Sequence, residues 1–505
     1  MDAFYGLLGG FQIALTPMNL FFCFVGVFIG TLIGVLPGIG TSGTMAILLP
    51  ITMGFPPTSA IIMLAGIYYG ACYGGSTTSI LVNIPGESMS IVTCLDGYQM
   101  ARQGRAGPAL GISAIGSFIA GTIGIVLVSF LAKPVTSFAL RFGPPEFFGL
   151  MIVGIVLVTY LGTGSMIKSL ISAVMGLVLS MVGMDIITGQ VRFTFGSIEL
   201  SNGIGLVPIA MGLFGLGEIF LNLETKIVRE IFETKIKGLF PTKRDFKQSA
   251  GPIFRGSILG FFLGILPGGG ATLASFFSYA VEKRISKHPE LFGKGTIEGV
   301  AGPEAANNAG SAGAFVPLFT LGIPPNSVMA MLLGAFILYG LQPGPLLMAE
   351  HPEIFWGAIA SMYIGNVILL ILNLPLIGMW VQILKIPYRI LFPLIIFFTL
   401  IGSYTLRNNA TDVLIMIIFG VIGYLMKKFE YETAPMLLAF VLGDLMENAF
   451  HQSLIIGDGR FSIFITRPIA AVCLLVALAL LLSSVIPWLR RGKEIVSKAT
   501  IEIDT

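Results

Sequence analysis

The chain has 505 residues, 55% of them hydrophobic and 11% charged, and carries a formal net charge of +3. A soluble domain carries about 25% charged residues, so the composition excludes a water-faced globular protein. A balance this close to neutral fits a few basic loops and gives no footprint for nucleic acid.

Apolar stretches near the ~20 residues that cross a bilayer recur along the chain. Residues 110–131, 359–381 and 469–485 are examples. No ten-residue alternating strands suggest a β-barrel. The expected fold is an all-α polytopic membrane protein.

The start, "MDAFYGLLGG", has no positive n-region and no small-residue cleavage site, so no removable signal peptide is expected. The first 101 residues contain no Lys or Arg, which puts the N-terminus outside. "GTLIGVLPGIGTSG" (30–43) then breaks a helix that should run on. Gly30 and Gly34 read as a GxxxG packing face. Proline removes a donor, and glycine lets the chain turn and approach a ligand. Gly38 and Gly40 beside Pro37 therefore read as a substrate site. A helix restarting there aims the N–H groups of Thr41, Ser42, Gly43 and Thr44 into the site, with its positive dipole end.

"YGGSTTSILVNIPG" (73–86) puts Ser76, Thr77, Thr78 and Asn83 in an apolar stretch that also stops at a proline. Uncharged hydroxyls and amides suit carboxylate recognition and Na⁺ coordination alike, and each also suits a bond between helices. Residues 224–248 form the one long charged stretch, and its seven Lys/Arg place it in the cytoplasm.

The opening break then returns as "GFFLGILPGGG" (260–270), aligning Gly30, Gly34, Leu36, Pro37, Gly38 and Gly40 with Gly260, Gly264, Leu266, Pro267, Gly268 and Gly270. Gly268, Gly270 and Thr272 are the matching site residues. "IPGES" (84–88) returns as "IPPNS" (323–327), which contributes Asn326. "GPEAANNAGSAGAF" (302–315) supplies Glu304, Asn307, Asn308 and Ser311. One constant offset pairs Ala114, Ser117, Phe148, Tyr160 and Gly176 with Ala358, Ser361, Phe392, Tyr404 and Gly420.

The halves thus span 1–222 and 253–460, joined by a charged linker at 223–252 and followed by an extra helix and tail at 461–505. Arg102, Arg105, Lys168, Lys385, Arg389, Lys427, Lys428, Arg490 and Arg491 fall inside, and "AEHPE" (349–353) falls outside. Lys133 and Arg141 are exceptions. On this map each half crosses an odd number of times, which predicts two inverted-topology repeats with paired broken or re-entrant helices. Paired interruptions in two halves point to a transporter's central site.

Intramembrane acids are expensive and usually functional. Glu218 and Asp444 align at a helix end and read as interfacial anchors, and Glu447 follows close by. Glu304 reads equally as a cation ligand or a helix cap. No Lys or Arg lies in the break motifs, so a multiply charged anion needs a co-bound cation. Coupling to Na⁺ or H⁺ is expected, with Glu304 and Asn307 as Na⁺ candidates. No organic cofactor or catalytic group is expected. The three histidines are scattered and the four cysteines lack metal spacing. "GDG" (457–459) hints at an aspartyl protease, but Asp458 falls in an external loop without a facing partner.

At these residues the chain resembles the large membrane subunit of the tripartite tricarboxylate transporters. "GTLIGVLPGIG", "YGGSTTSILVNIPGE", "LDGYQMARQGRAGPAL", "GFFLGILPGGGATLASFFSY", "FGKGTIEGVAGPEAANNA" and "LGIPPNSVMAMLLGA" carry the likeness. The resemblance implies a multi-pass permease of the bacterial inner membrane, driven by an ion gradient. It also implies two partners, a small four-helix membrane subunit and a periplasmic solute-binding protein. Carboxylates are the implied substrates: citrate, other di- and tricarboxylates, and aromatic acids. One departure stands out, since the family has a "GVPGSG"-like run where this chain has "GIPPNS". Pro325 and Asn326 stiffen and polarise that break, so citrate itself is not assumed. The alternative is a stand-alone cation-coupled organic-anion transporter.

Overall fold

The computed structural model describes residues 2–36, 40–162, 164–185, 188–224, 238–268, 270–384, 386 and 388–485. Pro37, Gly38, residues 225–237 of the linker, Gly269, Lys385, and residues 486–505 with Arg490 and Arg491 lie outside them. The described chain is helical apart from a two-residue antiparallel ribbon that pairs Gly183 with Arg192 and Met184 with Val191. Six described helices are long and apolar enough to cross a membrane, so the chain is an all-α multi-pass membrane protein.

The helices are α1 (Asp2–Ala14), α2 (Pro17–Val35), α3 (Thr41–Thr52), α4 (Pro57–Val82), α5 (Ala106–Ala139), α6 (Pro144–Leu161) and α7 (Met166–Ser180). Next come α8 (Leu206–Glu224), α9 (Lys243–Gly264), α10 (Gly270–Ile285), α11 (Glu298–Gly313), α12 (Phe315–Leu321) and α13 (Ser327–Leu338). The last six are α14 (Pro352–Asn373), α15 (Ile377–Ile383), α16 (Tyr388–Arg407), α17 (Ala410–Lys428), α18 (Thr433–Ile456) and α19 (Pro468–Val485). Proline opens α2, α4, α6 and α14, where its missing N–H would have had no helical partner anyway. A capping box between Thr242 and Asp245 opens α9.

Glycine faces hold the centre together. A Cβ on Gly26, Gly30 or Gly34 of α2 would run into the carbonyl oxygens of Met63, Ile67 and Ala71 on α4. In the second half Gly256, Gly260 and Gly264 of α9 meet Gly302, Ala306 and Gly310 of α11 in the same way. Both pairs advance together by one turn at a time, so each is a parallel pair with backbones in contact. Lipid tails are as apolar as leucine, so such close packing is what drives helix association in a bilayer. The GxxxG reading of Gly30 and Gly34 is therefore what the fold uses.

Around this centre, helices of the two halves alternate. Gly176 of α7 lies against Met436 of α18, and Gly212 of α8 against Met416 of α17. Gly149 of α6 receives Ala470 and Cys473 of α19.

Polar pairs at one end of the bundle join positions that the charge map places in the cytoplasm. Arg105 binds Asp245 at 2.6 Å, and Gln103 donates to the Lys294 carbonyl at 2.7 Å. Lys168 donates to the Phe429 carbonyl at 2.8 Å and Lys428 binds Glu224 at 2.7 Å. Lys427 pairs with Glu218; Glu218 lies within α8 and its aligned counterpart Asp444 within α18, so neither stands at the helix end the sequence suggested.

Candidate functional site

Each half carries two breaks, and within each half the two breaks touch. In the first, α2 ends at Val35, whose carbonyl accepts from Thr78 at 2.7 Å. The predicted site residue Gly38 has no described geometry. Gly40, at φ +68°, opens α3 with no atom within 4 Å of where a Cβ would stand. The later break begins at Asn83, an exposed left-handed cap of α4 at φ 59°. Beyond it Gly86 is pressed against Gly34 and Gly75. Glu87 accepts a hydrogen bond from Thr41 at 2.5 Å, which ties the two breaks together.

In the second half the Gly268 N–H donates to the Pro325 carbonyl at 2.9 Å. Gly268 has φ +101°, and a Cβ there would stand 2.8 Å from Val158 Cα and 2.9 Å from Leu157 O on α6. Close packing on α6, not room for a solute, is what demands glycine at this position. Gly270 opens α10 against Gly264. Asn326 caps α13 by accepting from the Met329 N–H at 2.9 Å, and it donates to Tyr68 at 3.1 Å.

The four breaks meet across the halves. Ser42 and Ser327 share a hydrogen bond at 2.8 Å, and Ser88 and Thr272 share one at 3.2 Å. Ser42 and Thr272 hold aligned places after "PGIG" and "PGGG", and Ser88 and Ser327 end "IPGES" and "IPPNS". The two bonds are therefore one contact made twice with the halves exchanged. They gather the first turns of α3, α10 and α13, whose free N–H groups and positive dipole ends suit an anion. Glu87 sits between them, beside Ser88 and bonded to the neighbour of Ser42.

One layer deeper, α11 packs against α4. Glu304 is fully buried. It accepts from Ser76 at 2.5 Å and from Thr93. Asn308 instead donates to Ser117 of α5 at 2.7 Å. Ser311 donates to the Asn307 carbonyl at 3.0 Å and meets Cys72 at 3.1 Å. Thr77 lines a cavity of about 10 Å³ with Tyr73, Leu110, Ser113, Ala114 and Asn373, room for roughly one water.

The predicted residues thus divide. Gly40, Thr41, Ser42, Gly270, Thr272 and Asn326 stand at the crossing. Ser76, Glu304 and Asn307 form the deeper cluster with Thr93. Thr78 and Asn308 have partners that account for them structurally, and Asn83 is the exposed left-handed cap that ends α4. Sequence reasoning passed over Glu87, Ser88, Thr93, Ser327 and Tyr68. Ser88 and Ser327 were within reach, since they close the repeated "IPGES" and "IPPNS".

Two further acid clusters are structural. Asp96 is fully buried and accepts from the N–H groups of Gly293 at 3.0 Å, Gly295 at 2.7 Å and Thr296 at 2.9 Å. Tyr279 adds a fourth donor at 2.9 Å. Elsewhere Asp185, Glu447 and His451 bring ligand atoms within 4.8 Å of one another, a grouping that spacing alone could not reveal. Arg192 already grips Glu447 with two bonds, at 2.6 and 3.1 Å, and its guanidinium supplies the cluster's positive charge.

Residues 20–438 match the family described as "Tripartite tricarboxylate transporter TctA family". The chain is 53% identical over 494 residues, 98% of each chain, to an "Uncharacterized 52.8 kDa protein in TAR-I ttuC' 3'region" of Agrobacterium vitis. It is 52% identical over 235 residues to an "Uncharacterized protein in TAR-II ttuC' 3'region" of the same organism, covering 46% of this chain and 97% of that relative. No solved structure matches it.

Proposed function

The chain belongs to the tripartite tricarboxylate transporter TctA family, a family of transporters and not of enzymes, and from that premise we propose that it is the large permease subunit of a binding-protein-dependent importer of tricarboxylates or related organic acids. The doubled hydroxyl contact, Ser42 with Ser327 and Thr272 with Ser88, carries this reading. A polycarboxylate placed there finds two pairs of hydroxyls and the N-termini of three helices.

The same doubling supports two inverted-topology repeats, 1–222 and 253–460, joined by the linker at 223–252 and followed by the helix and tail at 461–505. In this reading α2 and α3 open toward the outside, and α9 and α10 toward the cytoplasm. Among the described residues no basic side chain stands at the crossing, so a co-transported cation offsets the anion's charge and an Na⁺ or H⁺ gradient drives uptake. The system sits in the bacterial inner membrane, with a small four-helix subunit beside it and a periplasmic protein delivering the carboxylate.

The test is reconstitution in vesicles with both partners, following labelled citrate and dicarboxylates under an Na⁺ or a proton gradient. Gradient-dependent uptake that falls in Ser42→Ala and Thr272→Ala supports the assignment. Failure to move any carboxylate under either gradient overturns it, and equal uptake without the partners overturns the tripartite part in favour of a stand-alone carrier.

A further inference from the structure

Glu304 is an acid of the molecular centre whose partners are all uncharged. It is fully buried, and among the described residues no Lys, Arg or His forms an ion pair with it. Its carboxylate oxygens meet three hydroxyls, Ser76 of α4, Thr93 of the 88–102 segment and Ser113 of α5. Asn307 follows one turn later on α11 and is also fully buried. Both its side-chain oxygen and its side-chain nitrogen find no hydrogen-bond partner among the described residues. Residues three or four apart on a helix share a face, so Asn307 falls between Glu304 and Ser311 on the face of α11 that meets Ser76 and Cys72 of α4. An unsatisfied buried polar group calls for an explanation, an ion being one.

We propose that Glu304, Asn307, Ser76 and Thr93 form a dehydrated site for a monovalent cation, and that the cation is Na⁺. The donors are all hard oxygens: a carboxylate, two hydroxyls and an amide carbonyl. Such sets suit alkali and alkaline-earth ions, not thiolate-seeking metals. They hold one negative charge, which a monovalent ion cancels. A divalent ion would leave net positive charge among fully buried side chains. A proton would neutralise Glu304 and leave the Asn307 carbonyl as it was, whereas a cation engages both. Cations in related architectures sit where helices are interrupted beside a substrate site, and Thr93 follows closely on the Ser88 break.

This inference rests on the ion-coupled reading above for its physiological meaning, but binding is measurable without transport. The purified full-length chain is unfolded thermally in NaCl, KCl or choline chloride at equal ionic strength, with no carboxylate present. Na⁺ should raise the midpoint by several degrees where K⁺ and choline do not. Glu304→Gln and Asn307→Ala should abolish that shift. Ser42→Ala should keep it, so a failed carboxylate site and a failed cation site read out separately. Should Glu304→Gln not fold, Thr93→Val leaves the carboxylate in place and should weaken the Na⁺ response roughly tenfold or more. An unchanged Na⁺ shift in the Glu304 or Asn307 variants overturns the proposal. So does a wild-type midpoint that ignores Na⁺ but moves with pH only while Glu304 is present, the signature of a proton site.

Discussion

A single added methyl group asks each break glycine what it is for. Gly40 and Gly268 both have positive φ, so an alanine at either is strained by about 1–2 kcal/mol. Only Gly268 also lies against a neighbouring backbone. Gly268→Ala is therefore expected to lower the thermal midpoint clearly more than Gly40→Ala, and the reverse order would contradict the packing described on α6. The hydroxyl crossing has its own measure. Ser42→Ala, Ser327→Ala and the double variant form a cycle whose coupling should be about 0.5–1.5 kcal/mol in unfolding experiments, the net value of one hydrogen bond. Additive losses would mean that the 2.8 Å contact contributes nothing.

Helix pairs make a stronger demand. Gly34→Leu on α2 and Gly264→Leu on α9 both drive a side chain into a partner's carbonyl. Overpacking of this kind costs about 1–3 kcal/mol or more. Both variants should lose folded protein on size exclusion to a similar degree, because the two halves pack by one rule. Fold class and the packing role of Gly30 and Gly34 were readable from the sequence, because glycine and proline impose backbone geometry wherever they occur, whereas the helix each face meets was not. Ser42 and Thr272 were readable for the same reason, as neighbours of the breaks. Their partners were not. Ser88 reaches Thr272, and Glu304 reaches Thr93, across sequence distances that no local rule spans. The unused amide of Asn307 is a property of its surroundings alone, since Asn308 beside it is fully engaged.

At the scale of the whole molecule, the charge map predicts a sidedness. Lys294 lies on the face that Arg105 and Asp245 occupy, while His351 belongs to the stretch that the charge map places outside. In a cysteine-free background, Lys294→Cys should react with an impermeant maleimide only in inside-out vesicles, and His351→Cys only in right-side-out ones. Labelling of both from one side would refute the charge map. Asp96 has a mechanical meaning at this scale. Three peptide amides from the loop before α11 and a phenol from α10 all grip this one carboxylate. That rivets the 88–102 segment of the first half to α10 and the loop before α11 in the second. Any motion that parted them would have to break four hydrogen bonds to one buried carboxylate at once, so these pieces are expected to travel as one block, with slippage confined to the block's outer seams.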